Sequence, residues 1–321
     1  MKRLGGLLVL FVFILAGCFR NGLQAIPLGK AFVASVNLKD SSITFLDAET
    51  FATFGQWKIA EPFTGAILLP NQDHIAIFGK KMSTLQIYSL SKGNLVEEWK
   101  VGSGIVHVKL INNQTELALV DQYRDSIRIL SLDGKELQEV EVGNNPISIV
   151  EDEKQDKLFV VNFDDEKISV LHSKTLESLQ DIVINPTSAG IMLLEDSNEL
   201  WIGGHGEGVD IEENIHVYSA EEGTLITTLN APSMPIKFQE WDDSVFILSH
   251  GSNTVYKHSR TTKEMQSIKV GVNPFEILIY QNNVVVAAYD SDEVFLLNPN
   301  SFTVKKKVKV GKGPFQLFVR E

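Results

Sequence analysis

Short apolar runs rich in β-branched residues recur along the chain at intervals of about 40–45 residues. Each run is too short for a helix and is typical of a strand that is buried on both faces. The runs occupy residues 31–36, 74–78, 117–120, 158–161, 200–202, 245–248 and 284–288. A period of this length indicates a chain built from repeated structural units, each of which adds a small core.

A second strand with alternating polarity follows most of these runs, as in Ile127-Arg128-Ile129. A turn containing Gly, Asn or Asp comes next, and a further segment often ends in Val-Gly, as at Val142-Gly143. An Asn-Pro or Gly-Pro corner such as Asn145-Pro146 then opens the first strand of the next unit. No segment beyond residue 30 has the pattern of an amphipathic helix. The chain is therefore predicted to form seven units of four strands.

The two ends of the repeat complement each other. The chain enters the repeat with a second strand, residues 31–36, and leaves it with an unpaired first strand, residues 314–319. Pairing the two would complete a unit and remove the open edges of a linear sheet. Two separate β-sandwiches would not require constant spacing or half a unit at each end. We therefore predict an all-β, seven-bladed β-propeller over residues 31–321, with four-stranded antiparallel blades and a ring closed by the N- and C-terminal strands in one blade.

The fourth unit also resembles a known repeat family. It contains Val142-Gly143, then Pro146, then Phe159-Val160-Val161-Asn162 before an Asp-rich turn and a second strand. This order is similar to the YVTN-type β-propeller repeat of bacteria and archaea, whose units contain a Tyr-Val-Thr-Asn-like strand and end in Val-Gly-x-x-Pro. The resemblance extends over residues 31–319 and implies a fold rather than a chemistry, since such propellers serve several functions.

The N-terminus has the order of a secretion signal. A basic head, Lys2 and Arg3, precedes an apolar stretch and the small residues Ala16 and Gly17. The apolar stretch is shorter than the ~20 residues that a membrane-spanning helix needs. Residues 15–18, Leu-Ala-Gly-Cys, resemble the bacterial lipobox, in which the cysteine is lipidated after cleavage just before it. We expect residues 1–17 to be a lipoprotein signal peptide, Cys18 to carry acyl chains such as palmitate, and residues 18–30 to be a tether. The protein is then expected at a bacterial cell membrane, lipid-anchored and extracytoplasmic.

Composition narrows the class of partner. The chain has 321 residues, 29 Lys and Arg against 41 Asp and Glu, and a formal net charge of −12. Nucleic acid is not an expected partner, because its phosphates require a basic surface. The single cysteine excludes a disulfide scaffold and a cysteine-rich metal site. Nothing in the composition calls for self-association, and we expect a monomer.

The candidate site lies on the face that carries the blade-to-blade corners and the turns between second and third strands. We call this face, which surrounds one end of the central channel, the channel mouth. Its candidate ligand-binding residues are His205, Asp210, His250, Asn253, Asp164 and Asp290. The loop of residues 203–214 interrupts the repeat there. It contains imidazole and carboxylate groups of the kind that bind zinc or calcium, although their spacing matches no established motif.

Two functions follow as hypotheses. We find no recognisable catalytic motif in the sequence and predict no catalytic residue and no required cofactor, although a divalent metal is possible. The first hypothesis is a non-enzymatic scaffold that binds a protein or a small-molecule ligand at the channel mouth. The alternative is a metal-dependent enzyme resembling propeller lyases and lactonases, which would use His205, His250 and nearby carboxylates.

Overall fold

A computed structural model describes residues 22–321, and these form a ring of seven antiparallel sheets of four strands each. The predicted fold class is confirmed. Residues 1–17 and Cys18, which carry the predicted signal and lipid site, lie outside the described residues. Within residues 22–321, no helix is long and apolar enough to cross a membrane.

The strands of the first half of the chain follow the predicted order. They are β1 (Phe32–Asn37), β2 (Ser42–Asp47), β3 (Thr53–Lys58), β4 (Gly65–Leu68), β5 (His74–Phe78), β6 (Thr84–Ser89), β7 (Asn94–Lys100), β8 (Ile105–Ile111), β9 (Glu116–Asp121), β10 (Ser126–Ser131), β11 (Glu136–Glu141), β12 (Pro146–Asp152), β13 (Lys157–Asn162), β14 (Lys167–His172) and β15 (Ile182–Val183).

The second half contains one extra hairpin, β18–β19, inside the loop that interrupts the repeat. The strands are β16 (Ser188–Leu194), β17 (Glu199–Gly204), β18 (Gly206–Glu207), β19 (Asp210–Ile211), β20 (Asn214–Ser219), β21 (Leu225–Asn230), β22 (Pro235–Trp241), β23 (Ser244–Ser249), β24 (Thr254–Ser259), β25 (Met265–Lys269), β26 (Pro274–Tyr280), β27 (Asn283–Ala288), β28 (Glu293–Asn298), β29 (Thr303–Lys309) and β30 (Pro314–Arg320).

The ring closes in the blade that combines both ends of the repeat. We call this blade 1; its strands are β30, β1, β2 and β3 from the channel outward, and blades 2 to 7 follow in chain order. Strand β1 pairs antiparallel with β30, with Val33 opposite Val319 and Ala34 opposite Phe318. The predicted pairing of residues 314–319 with residues 31–36 is thereby confirmed.

The apolar core is divided among the blade boundaries. The described residues contain seven clusters of buried apolar side chains, and each cluster joins two neighbouring blades. The second strand of each blade is buried on both faces, as in β27, because its alternate side chains enter the clusters on either side. Outermost strands such as β11 are mostly exposed. Stability is thus distributed around the ring, which is how repeat proteins exceed the size of a single core.

Residues 22–30, part of the predicted tether, run along the face opposite the channel mouth. The N–H of Leu23 donates to the carbonyl of Gly93 at 2.7 Å, and the N–H of Ile26 donates to the carbonyl of Leu90 at 2.7 Å. The Ile26 side chain is fully buried in the cluster between blades 1 and 2. The segment therefore belongs to the folded body.

Candidate functional site

A recurring backbone irregularity shapes the channel. In blades 3 to 7 and in blade 1 the register between the innermost strand and the second strand shifts near the start of the innermost strand. Such a bulge inserts one unpaired residue and turns adjacent side chains toward the same side. Consecutive residues consequently reach the channel as pairs: Val106 with His107, Ile147 with Ser148, Ile236 with Lys237, Phe275 with Glu276 and Phe315 with Gln316.

These pairs enclose a cavity of about 360 Å³ at the channel mouth. Most of its wall is apolar. Its polar side chains belong to two groups, one at the rim and one on the innermost strands. The rim supplies Thr64, Lys80, Gln122 and His205, and the innermost strands supply His107, Ser148, Lys237, Glu276 and Gln316. Lys80 Nζ donates to Gln122 Oε1 at 2.7 Å, which fixes this part of the rim.

Aromatic rings form a continuous wall along one side of the mouth. We call it the aromatic arc; its members are Phe163, His205, His250, Phe275, Tyr289 and Phe315. Adjacent ring centroids are 5.8 Å apart for Phe163 and His205, and 5.8 Å apart for His205 and His250. The distance from His250 to Phe275 is 4.4 Å, and that from Phe275 to Phe315 is 5.0 Å. Such packing orients rings edge-to-face or tilted and leaves a large apolar surface for a ligand.

The structure places the predicted residues His205 and His250 next to each other in this arc. The Nδ1 atom of each is buried and has no hydrogen-bond partner among the described residues. Burial lowers the pKa of both imidazoles, and the neighbouring His250 lowers the pKa of His205 further. The lowered pKa values favour the neutral form of both rings, which present flat, weakly polar surfaces.

Two of the other predicted residues lie near His250: Asp290 and His250 affect each other's pKa, and the N–H of Asn253 donates to the His250 carbonyl at 3.3 Å. Asp290 lies at the rim, where its carboxylate accepts from Lys39 Nζ at 2.7 Å and from Asn273 Nδ2 at 2.9 Å. Asn253 Oδ1 accepts from the backbone N–H of Asn273 at 2.8 Å and so holds a corner in place. Asp164 is exposed in its turn, and Asp210 is exposed in the hairpin β18–β19.

A metal ion would require several such groups at short range. Over residues 22–321, no three His, Cys, Asp or Glu side chains are grouped closely enough to hold one. In the interrupting loop, Glu212 instead pairs with His216, with 3.3 Å between Oε2 and Nε2, and His216 Nε2 lies 2.9 Å from Asn185 Nδ2. This pairing lowers the pKa of Glu212 and fastens the base of the hairpin to β20.

The sequence analysis missed the charged groups inside the channel. Lys237 and Glu276 lie on neighbouring innermost strands, with 3.5 Å between Lys237 Nζ and Glu276 Oε2. Burial raises the pKa of Glu276, an effect that Lys237 partly offsets. Burial, together with Lys237 and Lys109, lowers the pKa of His107 to about 3, so this imidazole is neutral. A signal was present in the sequence, because three blades repeat a Pro-apolar-charged or Pro-apolar-amide triplet, at residues 235–237, 274–276 and 314–316.

A somewhat larger groove of about 460 Å³ lies between blades 5 and 6 on the outside of the ring. Its principal cation is already paired: Arg260 binds Asp196 at 2.8 Å and Glu240 at 3.0 Å. A ligand there would have to displace these ion pairs. The channel cavity offers apolar surface and free polar atoms instead, so we assign the candidate site to the channel.

The fold and cavity define a seven-bladed β-propeller with a ligand-sized cavity at one end of its channel. No family model matches the chain, and no curated protein matches it. Among solved structures, the fold is similar to a protein of unknown function from Desulfotomaculum acetoxidans, with TM-score 0.73 and 12% identity over 90% of this chain and 98% of that chain.

Two further structures illustrate how widely this fold is used. Dihydro-heme d1 dehydrogenase NirN, in complex with DHE, aligns with TM-score 0.64 and 11% identity over 92% of this chain and 76% of that chain. AztD from Citrobacter koseri aligns with TM-score 0.59 and 13% identity over 90% of this chain and 97% of that chain. At these identities the similarity shows the fold alone, and function must be argued from the site.

Proposed function

We propose that this protein is a lipid-anchored, extracytoplasmic β-propeller of the YVTN type that binds a small organic ligand in its channel mouth without catalysing a reaction. The observation that carries the proposal is the cavity of about 360 Å³, whose wall includes His205, Phe275 and Phe315 of the aromatic arc. Small-molecule sites are usually concave, largely apolar and at least about 300 Å³, with a few convergent polar groups. We favour a small ligand over a protein partner because the apolar surface is recessed between the bulged strands.

The docked N-terminal segment sets the orientation that an anchor at Cys18 would impose. Residues 22–30 lie on the face opposite the channel mouth, where Leu23 binds the Gly93 carbonyl. Cys18 is four positions before Gly22, a distance that spans at most about 14 Å when the chain is extended. A lipid on Cys18 would therefore hold that face toward the bilayer and turn the channel mouth away from it, open to ligands in the surrounding medium.

Anchoring is tested by expressing the full chain and its Cys18→Ser variant in a bacterial host supplied with radiolabelled palmitate. We expect the wild-type chain to incorporate label and to sediment with membranes, and the variant to do neither. Label retained by the variant would contradict lipidation at Cys18. Orientation is tested in vesicles that contain quencher lipids, with fluorophores at Glu153→Cys and Asp210→Cys; quenching is expected at residue 153 and not at residue 210.

Ligand binding is tested with phenylbutanol, a neutral probe with an aromatic ring, by equilibrium dialysis against the full chain in mild detergent. Phe275 contacts both His250 and Phe315 in the arc, so Phe275→Ala should weaken binding about tenfold, as expected for the loss of one well-packed aromatic contact. The matched control is Phe54→Ala, which removes a partly exposed ring from the outermost strand of blade 1. Equal losses in both variants would contradict binding at the channel mouth.

A further inference from the structure

The channel cavity has a charge opposite to that of the protein as a whole. The chain has a formal net charge of −12, yet the charged residues that line the cavity are Lys80, Lys237 and Glu276. The cavity thus has one more cation than anion even when Glu276 is ionised. An excess charge inside a low-dielectric channel interacts strongly with a charged ligand, because water screens it poorly there.

The Lys237 ammonium has donors to spare. Its nearest carboxylate oxygen, Glu276 Oε2, is 3.5 Å away, beyond the usual length of a hydrogen bond, and 38% of the Lys237 side chain is accessible within the channel. The other oxygen of Glu276 accepts from the backbone N–H of Ile277 at 3.1 Å. Glu276 therefore compensates Lys237 only in part, and an ammonium has three protons to donate.

A third lysine lies outside the cavity lining, further along the innermost strand β8. Lys109 lies two residues beyond His107 on β8, and burial lowers its pKa while Glu151 opposes the effect. Burial is the main cause of the low pKa of His107, and the charges of Lys237 and Lys109 add to it. The two lysines that line the cavity, set against one carboxylate, favour an anion over a cation as ligand.

We propose that the channel binds an organic monocarboxylate with an aromatic body, the ring packing against Phe275 and Phe315 and the carboxylate lying at Nζ of Lys237. This inference rests on the proposed function, since it names the ligand class for the same cavity. The bulges make this arrangement possible, because they turn the side chains of both Phe275 and Glu276, and of both Ile236 and Lys237, toward the channel. A single negative charge matches the excess of one cation, whereas a dianion would exceed it.

The test uses three probes with the same phenylbutyl body and different head groups: phenylbutyrate, phenylbutanol and phenylbutylamine. Each is dialysed to equilibrium against the full chain in mild detergent. We expect phenylbutyrate to bind about tenfold more tightly than phenylbutanol, the effect of one partly buried charge-assisted contact, and phenylbutylamine to bind most weakly.

Two variants assign the head-group preference to the channel charges. Lys237→Met should remove the preference of the channel for phenylbutyrate over phenylbutanol. Glu276→Gln should strengthen phenylbutyrate binding several-fold, because it removes the competing carboxylate; a merely structural role for Glu276 would not produce a gain. The matched control is Lys100→Met on the exposed outermost strand of blade 2, which should change neither affinity. Circular dichroism confirms that each variant is folded.

The outcomes separate this inference from the proposed function. If phenylbutylamine binds best and Glu276→Gln weakens it, the site selects cations and the inference is overturned. If phenylbutanol binds as tightly as phenylbutyrate and still depends on Phe275, the ligand class is wrong while the binding site stands. If no probe binds, or binding is insensitive to Phe275→Ala, both the inference and the proposed site fail.

Discussion

Replacing Arg320 with methionine should destabilise the ring at its closure. Arg320 is the last residue of β30 and is 1% exposed. Its guanidinium donates to the Lys30 carbonyl at 2.7 and 2.9 Å, to the Pro27 carbonyl at 2.6 Å and to the Gln72 carbonyl at 3.1 Å. It also lies 4.7 Å from the centre of the Phe32 ring. One side chain thus joins the closing strand, the docked N-terminal segment and blade 2.

The expected loss follows from these contacts. Methionine retains most of the buried stem but removes the guanidinium donor from three carbonyl groups, of which that of Pro27 keeps the N–H of Lys30 at 3.2 Å. Hydrogen bonds to a charged group contribute about 1.5–3 kcal/mol each, a cation–π contact adds about 1 kcal/mol, and relief of the buried charge offsets part of the sum. We expect the free energy of unfolding to fall by about 3 kcal/mol, which lowers Tm by roughly 5 °C in a protein of this size.

The assay is urea unfolding followed by tryptophan fluorescence, with Arg124→Met as the control. Arg124 is exposed and pairs with Glu139 at 3.0 Å, so its replacement should cost less than about 0.5 kcal/mol. A second readout is trypsin cleavage after Lys30, which should accelerate in Arg320→Met because the segment is released. Equal urea midpoints for the two variants would refute the assigned role of Arg320.

Three further predictions concern the channel and the blade boundaries. The pKa of His107 is about 3 in the folded chain against an ordinary 6.5, so the unfolded chain binds the extra proton as pH falls, and the free energy of unfolding should drop by up to about 2 kcal/mol between pH 7 and pH 5. In His107→Gln this part of the drop, measured from urea midpoints at both pH values, should vanish. An unchanged pH dependence in the variant would contradict a neutral imidazole. Gly190→Ala should cost about 1–3 kcal/mol in urea unfolding, because a Cβ there would lie 2.3 Å from the Ile236 carbonyl oxygen; an unchanged midpoint would show that the blades can separate freely. Dialysis against EDTA should leave Tm unchanged, and a fall in Tm with release of a stoichiometric metal would favour the metal-dependent alternative.

The blade number and the closing pair could be predicted because they depend on features that recur. The second strand of each blade is apolar on both faces, so the same pattern can be recognised seven times along the chain. The two strands left without a unit, residues 31–36 and 314–319, could then pair only with each other. The proximity of His205 and His250 followed from the same reasoning, because each follows the second strand of its blade.

The interior of the channel could not be predicted in the same way. In a regular strand, only one of two consecutive side chains faces the channel. At a bulge, both side chains can face it, so the alternating pattern no longer predicts which residues line the channel. Whether Phe275 or Glu276 faces inward is therefore not encoded in polarity alone; both do. The docking of residues 23–30 lies outside the repeat, and apart from the burial of Ile26 it depends on backbone groups that any sequence would supply.

The pairing of β30 with β1 also has a consequence for synthesis. Strand β1 is synthesised some 280 residues before β30, the strand with which it pairs on its inner side. A nascent or truncated chain that stops before residue 314 therefore exposes the unpaired inner edge of β1 and the Phe32 ring that packs against Phe318. A free peptide of residues 314–320 has the register and the apolar side chains to occupy that edge. The truncated chain should therefore bind this peptide by strand addition, and binding of the peptide would report closure of the ring.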